Sequence, residues 1–187
     1  MKKFILALIG GCLISVAQAR TPQEIMALLS RGGAVLVVVA GSEDADGGLS
    51  DRGCLQAAGI GRLLASYRVP LAWVAGMGTS VSAEAAERLA QGYGVEPSQF
   101  IASGVLDLGA LNRSSSSSNS LWIVDRSVAA KGLEMMLGGS SYPGDPLLAH
   151  SELIVLSSQP GGLAFVDRID VREMSALQRE IRGTASK

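Results

Sequence analysis

The sequence is poor in the residues that most often bind metals or carry out acid-base and nucleophilic chemistry. Its 187 residues include one histidine, His150, and two cysteines, Cys12 and Cys54. Zinc sites need several cysteines or histidines at characteristic spacings, and serine hydrolases need a histidine base beside the nucleophile. The sequence contains no C-x-x-C pair and no G-x-S-x-G turn. It therefore predicts no metal site and no bound cofactor, and it disfavours a serine hydrolase.

The sequence also lacks an excess of positive charge and, after residue 19, a long hydrophobic run. Lysine and arginine together number 16, against 17 aspartates and glutamates, and the formal net charge is −1. Domains that bind nucleic acid are usually strongly basic, so we expect no nucleic-acid partner. No later stretch approaches the roughly 20 apolar residues of a membrane-spanning helix, so no transmembrane segment is expected there.

Residues 1–19 have the pattern of a secretory signal peptide. Two lysines precede an apolar stretch, and Ala17-Gln18-Ala19 forms an A-x-A cleavage site before Arg20. Cleavage after Ala19 removes both lysines and no acidic residue, so the net charge falls from −1 to −3. We expect a periplasmic or secreted protein. A lipoprotein with its lipid on Cys12 is the disfavoured alternative, because the apolar run continues beyond that cysteine.

Residues 20–187 are predicted to form one domain in which strands alternate with helices. Continuous β-branched and aliphatic residues at 35–39 indicate a strand buried on both faces. Residues 96–120 are predicted to be irregular, with a Ser-rich loop near 113–120. Further strands are predicted at 71–75, 121–124, 152–156 and 163–169. Helices are predicted at 22–31 with Thr21 as N-cap, at 51–67 with Ser50 as N-cap, and at 80–91, 127–137 and 171–182. This order predicts an α/β three-layer sandwich, a mostly parallel sheet with helices on both faces.

The C-terminal ends of three predicted strands define a candidate cleft. In a parallel sheet, sites form beyond these ends, which here lie at residues 40–44, 75–80 and 125–127. The candidate cleft residues are Ser42, Glu43, Asp44, Thr79, Ser80, Asp125 and Arg126.

Several of these residues, together with Asp46, give the predicted cleft an acidic character. Arg52 and Arg126 are the nearby candidates to offset the negative charge. If the acids faced one another, a cation or an amine would be a more natural ligand than phosphate. The favoured alternative is that they are solvated turn and helix-capping residues.

Two segments carry motifs of a known family. Residues 49–57, LSDRGCLQA, are similar to an L-S/T-x-x-G-x-x-Q-A helix opening, and residues 83–89, AEAAERL, are similar to an R-A-x-E-T-A-E-x-L segment. Both motif patterns are typical of the histidine phosphatase superfamily, which has the phosphoglycerate-mutase-like α/β fold. The resemblance extends over about residues 22–169 and is strongest over 33–91. It implies a histidine-phosphatase-like fold.

The resemblance also implies a phosphoryl-transfer site, which needs a nucleophilic histidine, a second histidine and arginines that neutralise the phosphate. The family's R-H-G turn corresponds to Ala40, Gly41 and Ser42. Its second arginine corresponds to Val81, and its second histidine to Asp125. None of these four functional groups is retained. Because the mechanism uses two histidines and the chain has one, the standard phosphohistidine reaction is excluded.

The sequence therefore predicts an exported, non-catalytic histidine-phosphatase-like protein with a binding or structural role in the cell envelope. Its expected partner is an unidentified protein, peptide or small ligand. The alternative is an enzyme of altered or weak activity, either phosphatase-like or a hydrolase that uses Asp125 with Glu43. Cys54 is predicted to be a small packed hydrophobic residue, and His150 a surface or structural residue.

Overall fold

The computed structural model of the chain has six strands and four helices among the residues that it describes. It describes residues 20–41, 43–77, 79–95, 100–102, 117–126, 129–138, 152–159 and 162–172. The strands are β1 (Ala34–Val39), β2 (Leu71–Met77), β3 (Phe100–Ala102), β4 (Asn119–Val124), β5 (Glu152–Gln159) and β6 (Gly162–Asp170). The helices are α1 (Pro22–Leu29), α2 (Asp51–Ser66), α3 (Ser80–Tyr93) and α4 (Ala129–Met136).

The strands form a single sheet in the order β3-β2-β4-β1-β5-β6. The four strands β3, β2, β4 and β1 run parallel, whereas β5 pairs antiparallel with β1 and β6 pairs antiparallel with β5. The prediction of a mostly parallel sheet is confirmed. The terminal hairpin predicted from residues 152–169 supplies the antiparallel part.

Strand β1 lies inside the sheet and is buried on both faces. Leu36 and Val38 belong to a cluster that includes side chains of α1, α2 and α3. Val35, Val37 and Val39 point the other way and join a second cluster with α4. Because successive side chains of a strand point to opposite faces, both layers of helices need apolar residues from β1. The helices therefore cover both faces of the sheet, as the sequence predicts.

Two of the helices, α1 and α3, are capped by threonine. Thr21 caps α1 and Thr79 caps α3, each in a reciprocal capping box with the residue three positions later. In the first box, the backbone N–H and hydroxyl of Thr21 donate to Glu24, and these bonds hold the pKa of the Glu24 carboxyl below its usual value. The predicted start of α1 is confirmed.

Some of the predicted boundaries are wrong. Residues 100–102 form the short edge strand β3 within the region predicted to be irregular. Strand β4 begins at Asn119, so the predicted loop ends two residues too late. Residues 113–116, Ser127, His150 and the end of the predicted C-terminal helix, residues 173–182, lie outside the described residues.

Asn119 joins three elements at the sheet edge opposite the candidate cleft. Its side-chain N–H groups donate to Leu29 O at 2.7 Å and Pro70 O at 2.9 Å, and its side-chain oxygen accepts from Ala34 N at 3.0 Å. The residue is fully buried. These bonds connect the end of α1 to the starts of β1 and β2, so Asn119 has a structural role that the sequence pattern did not reveal.

Replacing Asn119 with alanine is expected to lower the free energy of unfolding by about 2 kcal/mol. The substitution leaves the buried Ala34 N–H without its amide acceptor, and a buried unsatisfied polar group costs about 1–3 kcal/mol. Urea unfolding measures the change. Ser30→Ala is the control, because the Ser30 hydroxyl donates to Ala27 O at an exposed position. Equal stabilities of the two variants would contradict the role of Asn119.

Within the described part of the chain, no helix is both long enough and apolar enough to cross a membrane.

Candidate functional site

The C-terminal ends of β1, β4 and β2 lie side by side. The Ala40 N–H donates to Val124 O at 2.8 Å, and the Asp125 N–H donates to Met77 O at 3.2 Å. These bonds continue the pairing of the parallel strands for one residue beyond their ends. The structure thus brings together the three strand ends at which the sequence predicts a cleft.

Asp125 is buried at this edge, with 6% of its surface exposed. The Thr79 hydroxyl donates to Asp125 Oδ2 at 2.9 Å. Since Thr79 is also the N-cap of α3, the carboxylate lies beside a helix N-terminus, where the helix dipole favours negative charge. Asp125 therefore links the end of β4 to the start of α3, which gives it a structural role. The sequence resemblance aligns this residue with the family's second histidine.

Ser82 completes the link, although the sequence did not single it out. Its hydroxyl donates to Met77 O and to Thr79 O, both at 2.8 Å, and its side chain is fully buried. The Thr79 N–H in turn donates to the Ser82 hydroxyl at 3.2 Å. The T-x-x-S spacing, a variant of the capping box, is the sequence feature by which this residue could have been found.

The acidic residues after β1 form a tight turn with its own hydrogen bonds. Asp44 Oδ1 accepts from Asp46 N at 3.0 Å and Gly48 N at 2.8 Å, and the Asp44 N–H donates to Gly48 O at 2.9 Å. Glu43 and Leu49 form an antiparallel bridge across the base of the turn. Glu43, Asp44 and Asp46 are all exposed. This geometry favours the turn-residue interpretation of these acids.

A cation site of clustered acids receives no support from the described residues, which include no group of three or more histidines, cysteines, aspartates or glutamates able to hold a metal ion.

Gly41, which the sequence resemblance aligns with the family's nucleophilic histidine, packs directly against helix α2. A Cβ atom on Gly41 would lie 2.6 Å from Gly53 Cα, where two carbon atoms in contact need about 3.5–4.0 Å. The obstacle is backbone, so rotation of a side chain cannot relieve it. The neighbouring Ala40 is 3% exposed. The turn therefore leaves no space for any side chain at residue 41.

A small cavity lies between β1, α2 and α3, beside this turn. Its volume, counted as the space open to the centre of a water molecule, is about 10 Å³, and its lining includes Ala40, Gly41, Gly53 and Gln56. A single water needs roughly 10–15 Å³ on this measure. Gln56 is the one polar side chain of the lining. The cavity is thus too small for a phosphate group.

Val81, which the sequence resemblance aligns at or near the family's second arginine, belongs to the apolar core between the sheet and the helices, with 3% of its surface exposed. Of the other candidate residues, Ser80, Thr79 and Arg126 are exposed, and Ser42 lies outside the described residues. The positive charge of Arg126 is therefore at the surface beside the buried Asp125.

Glu84 is a second residue that sequence reasoning missed. Its Oε2 accepts from Leu49 N at 3.2 Å, and its Oε1 lies 3.8 Å from Cys54 Sγ and 3.6 Å from Arg88. It therefore connects α3 to the end of the acidic turn and the start of α2. Cys54 is a free, half-buried cysteine packed against the core, as the sequence predicts.

No family model and no curated protein matches the sequence. The solved structures that are similar to the chain include the following three. A candidate phosphohistidine phosphatase, SixA from Agrobacterium tumefaciens, is 15% identical, with 73% of this chain and 97% of that protein covered and a TM-score of 0.48. A phosphoglycerate mutase from Plasmodium falciparum is 16% identical, with coverages of 71% and 87% and a TM-score of 0.43. A phosphoglycerate mutase from Bacillus anthracis is 13% identical, with coverages of 79% and 97% and a TM-score of 0.47.

The architecture defines an α/β protein whose candidate site lies at the C-terminal ends of parallel strands. Within that class, the motifs at residues 49–57 and 83–89 predict a histidine-phosphatase-like fold. At 13–16% identity the likeness to the solved structures concerns the fold. Whether this chain shares any chemistry with them has to be argued from its own site.

Proposed function

We propose that the chain is an exported, non-catalytic protein of the histidine-phosphatase-like fold that binds a protein, peptide or small ligand in the cell envelope. The observation that carries the proposal is the contact between Gly41 and Gly53, because it closes the position at which the fold's nucleophile would stand. A substituted residue in an open cleft would leave room for another group to act. A turn closed against helix backbone leaves none.

The other positions support the same conclusion. Phosphoryl transfer depends on positive groups that neutralise the phosphate oxygens. Here Val81 is part of the core, and Asp125 places a carboxylate where a histidine would be needed. A phosphate approaching this edge would meet negative charge and a cavity of about 10 Å³. A binding partner would therefore have to contact the outer surface, where Ser80, Thr79 and Arg126 are exposed.

The alternative of carboxylate-dependent hydrolysis makes different demands on Asp125. Such an acid would need access to water and substrate, whereas the Asp125 carboxylate is buried and accepts a hydrogen bond from the residue that caps α3. Glu43, its suggested partner, is exposed and belongs to the acidic turn. Asp125 and Glu43 therefore have different environments, and each takes part in a structural contact.

The purified chain without residues 1–19 is expected to hydrolyse no generic aryl phosphate above the rate of a buffer blank. It is also expected to form no acid-labile phosphohistidine, because residue 41 carries no side chain to accept the phosphoryl group. Release of the aryl alcohol and incorporation of labelled phosphate are the two measurements. An active histidine phosphatase under the same conditions shows that the assay works.

Turnover that disappears in Asp125→Ala but persists in Asp51→Ala would contradict the non-catalytic proposal and favour carboxylate chemistry. Asp51 is a suitable control because it is an exposed acid in the first turn of α2. Stabilisation of the protein by inorganic phosphate in a thermal-shift measurement would contradict the closed site independently, since a ligand raises stability only if it binds the folded state.

A further inference from the structure

The backbone of Arg20 contacts the last strand of the sheet. Its N–H donates to Asp167 Oδ2 at 3.2 Å, which joins residues 147 positions apart in the sequence. Arg20 is also the residue that follows the predicted cleavage site Ala17-Gln18-Ala19. The atom that would become the new N-terminus is therefore already a hydrogen-bond donor to a carboxylate.

Helix α1 begins immediately after this contact. Thr21 is its N-cap, with an extended backbone, and Glu24 returns to accept from the Thr21 N–H at 2.7 Å. No spare residue separates Arg20 from the capped helix. Cleavage before Arg20 would thus leave the capping box intact and produce a terminus with a fixed position.

Strand β6 presents Asp167 by means of a β-bulge. Asp167 is paired with Val155 and Phe165 with Leu156, so Val166 is the extra residue between them. A bulge changes the direction of the side chains that follow it. Asp167 Oδ1 accepts from Arg168 N at 2.8 Å, while Oδ2 faces Arg20. The nearby Arg168 side chain has a different acidic partner, Glu152, at 3.8 Å.

We propose that cleavage after Ala19 creates an ion pair between the α-ammonium group of Arg20 and the carboxylate of Asp167. A signal peptidase hydrolyses the Ala19–Arg20 peptide bond: the oxygen of water forms the Ala19 carboxylate, and the Arg20 nitrogen keeps the bonding electrons and takes up protons. The neutral N–H donor becomes a cation. The ion pair thereby holds the mature N-terminus against β6. This inference depends on the exported state in the proposed function, but not on the lack of catalysis.

The charge change should strengthen the contact, because a hydrogen bond between ionised groups is stronger than one from a neutral amide. An α-amino group ordinarily has a pKa of about 8, so it is mostly protonated at about pH 6.5. Since the contact lies at the surface, solvent and salt reduce its effect, and an exposed ion pair stabilises a protein only slightly. The expected signature is a modest stabilisation that requires both charges.

Two forms of the chain beginning at Arg20 test the proposal, one with a free α-amino group and one N-acetylated. Acetylation removes the charge but keeps the N–H donor. Asp167→Asn is expected to lower the melting temperature of the free form by about 1–3 °C more than that of the acetylated form, at low salt and about pH 6.5. Asp170→Asn is the matched control on β6, because Asp170 pairs with Arg172 instead.

Equal effects of Asp167→Asn on the two forms would overturn the ion pair. Mass spectrometry of the protein recovered after export from a bacterial host is expected to give Arg20 as the first residue, and a different first residue would overturn the cleavage position. Hydrolysis of an aryl phosphate would contradict the proposed function while leaving this inference standing. The two failures are therefore distinguishable.

Discussion

Replacing Gly61 with alanine is expected to lower the free energy of unfolding by about 3 kcal/mol, one of the two largest effects predicted for this chain. A Cβ atom on Gly61 would lie 2.1 Å from Leu89 O and 2.7 Å from Tyr93 N. Both obstacles are backbone atoms of α3, so the two helices would have to move apart. Overpacking of a filled interior typically costs about 1–3 kcal/mol, and contact with backbone places this site at the upper end.

The close approach of α2 and α3 is reciprocal. Gly92, on α3, would place a Cβ atom 2.2 Å from Ala58 O on α2. Glycine on both helices therefore allows a separation that larger side chains would prevent. Because α2 begins beside the acidic turn, an altered separation would also displace the Gly53 backbone that closes the site. We expect Gly61→Ala to affect both stability and the structure at the cleft.

Gly59→Ala is the matched control, since Gly59 lies in the same helix and has nothing within 4 Å of a Cβ position. Alanine favours a helix over glycine by up to about 1 kcal/mol, so this variant is expected to be neutral or stabilised. Urea unfolding of both variants measures the difference. Equal free energies of unfolding for Gly61→Ala and Gly59→Ala would contradict the close approach of α2 and α3.

Much of the fold could be predicted because local patterns and tertiary requirements agree. The aliphatic run at 35–39 is explained by burial on both faces of the sheet, and Thr21 and Ser50 cap α1 and α2 as their sequence positions indicate. The terminal hairpin likewise follows from two apolar segments. Hydrophobic periodicity reflects which residues are buried, and capping residues reflect the hydrogen bonds that helix ends require. Both can therefore be recognised in the sequence.

Features created by distant contacts could not be predicted in the same way. Strand β3 has three residues and no periodic pattern, and it forms by pairing with β2. Asn119 is recognisable only when Leu29, Ala34 and Pro70 are adjacent. Gly61 of α2 is a weak helix position by propensity alone, and only the approach of α3 explains it. Each depends on a partner far away in the sequence.

The candidate site, too, could be predicted only in part from the sequence. The sequence placed the ends of the three strands together, which follows from parallel pairing. For the acidic residues it favoured a turn over an acidic cleft, but it did not give the hydrogen bonds of that turn, which depend on where the Asp44 carboxylate points. It also identified Gly41 as a missing histidine, but not as a close packing contact with Gly53. The second observation changes what a substitution at residue 41 can achieve.

Gly41→His is expected to restore no phosphatase activity and to lower the free energy of unfolding by about 3 kcal/mol or more. The new Cβ atom would meet Gly53 Cα at 2.6 Å, and the imidazole would add volume beside a cavity of about 10 Å³. Gly41→Ala separates the two effects, because it introduces the Cβ contact without the ring and should cost about 1–3 kcal/mol.

The test is made strongest by combining Gly41→His with Asp125→His and Ala40→Arg, so that three of the family's groups return at their corresponding positions. We expect no incorporation of labelled phosphate, because these side chains would have to displace α2 or break the bond between Thr79 and Asp125 before they could converge. Urea unfolding identifies variants that remain folded. A folded triple variant that forms phosphohistidine would show that the scaffold is still permissive and that only its reactive groups had been lost. Failure in a folded variant is the result expected from the packing of residue 41 against α2, although the variant still lacks the family's second arginine.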